Sequence, residues 1–209
     1  QGSIWLGGNS APAVASESDT AVIGALDPDS VTVENPAQLR ADMKNTSLWQ
    51  FSETGDLLEQ IDSKATQPSL VEAISASATG VSVLLSRDTG QSIALVKAGV
   101  FEKEVKIGSA KSKFNIIFRT ADGSSSLFGS SSEALGGKRL AGRVDGILLK
   151  VSKSGAISRV VRSSATGATR DWQSATASNF LTGFVRSGRK IETAITKFNS
   201  TFAPTWTIR

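Results

Sequence analysis

The chain has 209 residues, 39% of them apolar and 20% charged, with a net charge of +4. That balance excludes a disordered chain, and no apolar run nears the ~18 residues that span a bilayer as a helix. His, Cys and Tyr are absent, which removes disulfides, thiolate nucleophiles, Cys-ligated zinc and the commonest general base and transition-metal ligand.

Gln1–Ser3 read as the remnant of a tag-cleavage site and take no part in the fold reasoning. Such a start commonly follows removal of a signal peptide or membrane anchor, so the expectation is an extracytoplasmic domain over residues 4–209. IWLGGN (Ile4–Asn9) reads as a strand. AVASESDTAVIGAL (Ala13–Leu26) reads as two strands about a Ser18-Asp19 turn. Asp27, Asp29 and Glu34 offer a calcium candidate, but a solvated loop is the simpler reading. In NPAQLRADMKN (35–45), Asn35 is a helix N-cap and Pro36 takes the first helical position, which predicts a short surface helix.

From there the chain alternates two kinds of hairpin. SLWQFSETGDL (47–57), SIALVKAGVF (92–101), DGILLKVSKSGAI (145–157) and TAITKFNSTFAP (193–204) are each an apolar strand, a short polar turn and a second strand. Three of these turns close on Gly55, Gly99 and Gly155, and the fourth carries Phe202 instead. Between them lie LVEAISASATGVSVLLS (70–86), NIIFRTADGSSSLFGS (115–130) and WQSATASNFLTGFVRS (172–187), which turn at Thr79-Gly80, Asp122-Gly123 and Ser178-Asn179. Two hairpins in every ~40–50 residues is the signature of a four-stranded propeller blade. One such sheet cannot bury both its faces alone, so blades stack around an axis.

SSSEALGGKRLAGR (130–143) interrupts the rhythm as an insertion, with Ser132–Leu135 expected to form one helical turn ending at Gly136-Gly137. PTWTIR (204–209) is a strand whose partners are missing at that end. The predicted architecture is therefore all-β: a propeller of four blades of four antiparallel strands, closed by pairing the N- and C-terminal strands. The strands carrying Trp5 and Trp206 compete for one place, and an arc completed by a second copy is the alternative to a closed monomer.

DGILLKVSKSG and IWLGG resemble the bacterial β-propeller repeats that share an Asp-x-x-x-x-Lys-aliphatic-x-x-x-Gly core followed by a Trp-Leu-Gly-Gly strand. The resemblance implies a propeller that is secreted or surface-attached. It implies no common activity and no catalytic residues.

Asp145-Gly146 lacks the alternating oxygen ligands of a calcium loop and reads as a turn entering a strand, and Lys150 and Lys153 as surface residues. No Gly-x-Ser-x-Gly or phosphate-loop motif is present; GSAKSK (108–113) is basic but has the wrong glycine spacing. The four Trp residues, Trp5, Trp49, Trp172 and Trp206, fall at related strand positions and read as packing between blades. Basic residues crowd the second half: Lys138, Arg139 and Arg143 in the insertion, then Arg159, Arg162, Arg170, Arg186, Arg189 and Lys190. They form either a ligand face or charges that discourage edge pairing. Stacking aromatics are scarce among them, which disfavours nucleic acid.

The functional expectation is a non-enzymatic binding or scaffold module without cofactor, metal or catalytic residues. Its partner would be a protein or an anionic cell-surface polymer, with Lys138, Arg139 and Arg143 as ligand-binding residues. The rival expectation is a carbohydrate- or polymer-active enzyme using paired Asp and Glu at a central channel.

Overall fold

The computed structural model describes residues 2–10, 44–65, 67–102 and 104–209, all in strands and connections without a helix. The predicted hairpin at 13–26, the carboxylates at 27–34 and the bulk of the predicted helix at 35–45 lie outside the described residues. The chain divides into two compact units, Gln1–Val71 and Glu72–Arg209.

In the first unit Ile4–Ser10 (β1), Asn45–Phe51 (β2) and Leu57–Lys64 (β3) form an antiparallel sheet in the order β1-β2-β3. Leu48 and Ile61 face each other across β2 and β3 and are buried. Asn9 ties the sheet to the following segment, donating to Ser69 O (2.6 Å) and accepting from Val71 N (2.8 Å).

The second unit holds three antiparallel sheets. Leu70–Ser77 (β4, which starts in the first unit), Gly80–Arg87 (β5), Gly90–Lys97 (β6), Val100–Phe101 (β7) and Val105–Gly108 (β8) make the first; β7 and β8 share the outer edge of β6. Ser112–Arg119 (β9), Ser125–Ser131 (β10), Asp145–Val151 (β11) and Ile157–Ser163 (β12) make the second. Thr169–Ala175 (β13), Phe180–Ser187 (β14), Lys190–Phe198 (β15) and Pro204–Ile208 (β16) make the third. All seven hairpins predicted within the described residues are present, each with its turn where Gly, Asn, Asp or Ser was read.

Alternation of side chains decides how these sheets stack. On the β9–β12 sheet Leu127, Ile147 and Leu149 point one way and join Leu84, Ile93 and Leu95 of the preceding sheet. Their neighbours Phe128 and Leu148 point the other way and meet Trp172, Leu181, Phe198 and Phe202 of the last sheet. A strand buried on both faces reads as a continuous apolar run, which is why GILLKV shows no clean alternation. Polar side chains lock the first layer: Gln91 donates to Phe114 O (2.9 Å) and accepts from Phe114 N (2.5 Å), replacing a strand partner.

Among the described residues β1 pairs with β2 and β16 with β15, and no pairing closes the sheets into a ring. One face of the last sheet is open to solvent: Phe184, Ile191, Ile195, Trp206 and Ile208 are all exposed there.

The turn that lacks glycine explains itself. Phe202 takes φ +57° where Gly55 and Gly155 take +90° and +84°. Its ring is buried edge-on against Phe128, 6.0 Å between centroids. The left-handed backbone costs about 1–2 kcal/mol, whereas removing a buried Phe side chain costs about 3–5 kcal/mol. Phe202→Gly is therefore expected to lower stability by about 1–4 kcal/mol despite relieving the backbone. Equilibrium urea unfolding measures it, and an unchanged or raised midpoint refutes the account.

Candidate functional site

Because every sheet of the second unit is a meander, its connections fall at two ends. The hairpin turns at 98–99, 120–124, 152–156, 176–179 and 199–203 lie at one, the turn end. The connections at 88–89, 109–111, 132–144 and 188–189 lie at the other, the insertion end. Lys97 Nζ donates to Lys153 O of the next sheet (3.0 Å) at the turn end, and at the insertion end the β9–β10 ladder runs on through Ser132 N to Lys111 O (2.9 Å).

The insertion leaves β10 at Ser131 and re-enters β11 at Asp145, residues that face each other directly. No helical turn forms over Ser132–Leu135. Instead Leu135 and Lys138 exchange backbone hydrogen bonds around Gly136 and Gly137, whose φ values of +52° and +73° make a tight hairpin turn that two glycines allow. Leu135 anchors this small loop in the core.

Asp145 is fully buried and accepts from Ala141 N (2.9 Å), Gly142 N (2.8 Å) and Arg162 Nη1 (3.0 Å). Burial alone would raise its pKa, but these bonds outweigh burial and hold the carboxyl below its ordinary value. Arg162 also donates to the carbonyl of Glu133. The Glu133 carboxylate in turn accepts from Ser109 N (2.7 Å), Ser109 Oγ (2.8 Å) and Ser112 Oγ (2.5 Å). Burial again opposes ionisation there and the hydroxyl and amide donors prevail, so Glu133 too is shifted down. The two small serines of GSAKSK are thus ligands of a carboxylate rather than part of a phosphate loop.

With Glu133 and Asp145 turned inward, the outward side of the insertion itself is cationic, and Asp88 of the neighbouring β5–β6 turn is the exposed carboxylate at this end. Lys138, Arg139 and Arg143 are all exposed on the insertion, beside Lys111 of the β8–β9 connection. Arg186, Arg189 and Lys190 are exposed around the β14–β15 turn, where Glu192 offsets part of their charge by pairing with Lys190 (2.7 Å). The sequence-predicted basic set divides here. Arg162 is an internal anchor, and Arg170 lies over the Trp172 ring, 4.7 Å from its centroid, while donating to Ser163 Oγ (2.6 Å). Arg159 is exposed on β12 opposite Lys150, away from the insertion.

A second concavity lies at the turn end. A cleft of about 300 Å³ is lined by Asp122, Ser124, Lys150, Ser152, Lys153 and Ser158. In the sequence Lys150 and Lys153 read as surface residues of a hairpin; their convergence on the Asp122-Gly123 turn depends on strand register, which no local pattern records.

A polymer-cleaving site needs a carboxyl held protonated at neutral pH. Among the described residues, the carboxyls that their surroundings shift, Glu104, Asp122, Glu133, Asp145 and Glu192, all move the other way. For Glu104 burial is overcome by Arg87 and Ser92, and for Asp122 the hydroxyl of Thr120 leads, followed by Ser124. Among the described residues no group of three or more carboxylates is gathered as a metal site would require.

No protein-family model matches the chain, and no curated protein matches it either. It is similar to the solved structure of a protein of unknown function from Bacteroides caccae, which aligns over 78% of this chain and 68% of that one with 8% identity and a TM-score of 0.40.

Proposed function

We propose that the protein is a non-catalytic binding module that holds an anionic polymer on the insertion end of its second unit. One observation carries this reading. Asp145 and Glu133 spend their charge inside the fold, on Arg162 and on amide and hydroxyl donors, while Lys138, Arg139 and Arg143 are exposed and find no ion-pair partner among the described residues. A loop pinned by buried bonds also loses little freedom on binding, which favours affinity.

The expected result is retention on an immobilised polyanion such as heparin, weakening steeply between about 50 and 500 mM salt. The triple variant Lys138→Ala, Arg139→Ala, Arg143→Ala should elute at clearly lower salt with an unchanged circular dichroism spectrum. Retention that ignores both salt and the triple variant overturns the reading.

The architecture belongs to the same proposal. Paired hairpins at a ~40–50-residue period and sheets stacked face to face support a propeller of four blades. In such a ring a neighbour covers each sheet face, and the exposed apolar face of β13–β16 is what an uncovered blade presents. Closure by the chain's own first segments gives a monomer in light scattering; completion by a second copy gives a dimer. An extracytoplasmic setting is the third element, supported by the resemblance to secreted and surface-attached propeller repeats.

A further inference from the structure

We propose that the turn-end cleft is a site for a small monoanionic polyol, of the class of a hexuronate, gripped by Lys150 and Lys153 and oriented by Asp122 and the surrounding serine hydroxyls. The site stands apart from the polymer reading, because it lies at the opposite end of the sheets.

The walls are fixed before any ligand arrives. Asp122 Oδ1 accepts from Thr120 Oγ1 (2.5 Å), Ser124 N (2.9 Å) and Ser124 Oγ (2.7 Å), which freezes the carboxylate on its turn. Ser152 Oγ accepts from Ala156 N (3.1 Å) and Ser158 Oγ donates to Lys150 O (3.2 Å), which sets the facing wall. Lys97 holds the carbonyl of Lys153 from the neighbouring sheet. The two turns press together: a Cβ on Gly123 would stand 3.4 Å from Lys153 Cβ.

What these bonds leave over is a set of ligand-facing groups. Among the described residues, Lys150 Nζ, Lys153 Nζ and Asp122 Oδ2 make no hydrogen bond to protein. Among the lining residues two ammoniums against one carboxylate leave a single positive charge, which a monoanion neutralises and a phosphate dianion overshoots beside Asp122. Asp122 Oδ2 is an acceptor fit for a ligand hydroxyl, so a ligand with both a carboxylate and hydroxyls uses every group present. The volume stands at the lower bound of ~300 Å³ found for small-molecule sites, which suits one sugar ring and excludes an oligomer from full burial.

Titration of ¹⁵N-labelled protein with glucuronate, glucose and inorganic phosphate tests this. Glucuronate at up to about 10 mM should shift the amides of 120–124 and 150–158 with saturation. Glucose should bind at least about tenfold more weakly, as should glucuronate to the double variant Lys150→Ala, Lys153→Ala, since each loses charge-assisted hydrogen bonds. The variant at Lys138, Arg139 and Arg143 should bind glucuronate as the parent does, even if polymer binding fails. No saturable shift, equal binding of glucose, phosphate binding as tight as glucuronate, or an undiminished double variant each overturns the proposal.

Discussion

Asp145→Ala is expected to destabilise the second unit by about 3–5 kcal/mol, the usual cost of removing one partner from a buried ion pair. The side chains of Asp145 and Arg162 are only 0% and 8% exposed, so solvent cannot replace what is lost. The loss has two parts that a second variant separates. Converting both residues, Asp145→Leu with Arg162→Met, removes the unpaired charge and should recover the ionic part. It cannot recover the acceptor that the amides of Ala141 and Gly142 lose with the carboxylate, so part of the destabilisation should remain. Urea midpoints measure the totals, and hydrogen exchange should show those two amides accelerated in both variants. A double variant as stable as the parent would mean that the amides find water and that Asp145 does not organise the insertion.

The same residue gives a pH signature. Its folded pKa lies below the unfolded value of about 3.9. The unfolded chain therefore binds the proton more readily, and stability rises with pH through this range. The contribution is complete above the unfolded pKa and disappears as pH falls through the lowered folded pKa. Asp145→Ala should accordingly flatten the acid side of the stability profile, leaving the slope due to the other lowered carboxyls of the described residues, Glu104, Asp122, Glu133 and Glu192.

Legibility in the sequence followed the range of the interaction. The hairpins could be read because their turns are local: Thr79-Gly80, Asp122-Gly123 and Ser178-Asn179 each set backbone geometry within four residues. The insertion was misread because Ser-Glu-Ala-Leu has helical propensity, whereas the paired left-handed glycines and the burial of Leu135 decide its shape. Asp145 was legible as a strand entrance but not as an ion-pair partner, since Arg162 arrives from the next strand. The four Trp residues looked equivalent by strand position, yet Trp172 is fully buried while Trp206 is 43% exposed. Position within a repeat sets which way a side chain points. Whether another sheet lies there depends on where the strand sits in the stack.

Trp172 carries the second large effect. It is fully buried between the β9–β12 and β13–β16 sheets, edge-on to Phe198 at 5.7 Å between centroids. Trp172→Ala should cost about 3–5 kcal/mol, since flanking strands fixed by their own ladders cannot collapse into the space. It also leaves Arg170 half-buried without the ring it rests on. Trp172→Phe should cost much less, because the indole Nε1 has no hydrogen-bond partner among the described residues to lose. What the indole does have is a tight neighbour: a Cβ on Gly146 would fall 2.5 Å from Nε1. Gly146→Ala is therefore expected to be destabilising alone by about 1–3 kcal/mol, as overpacking. In the Trp172→Phe background, where the smaller ring leaves room, most of that cost should vanish, giving a coupling energy of at least about 1 kcal/mol. Additive effects in this double-mutant cycle would mean that Gly146 is required by the backbone and not by Trp172. The Asp-Gly pair that opens β11 would then owe its glycine to the turn, as the sequence alone suggests, rather than to the tryptophan of the next sheet.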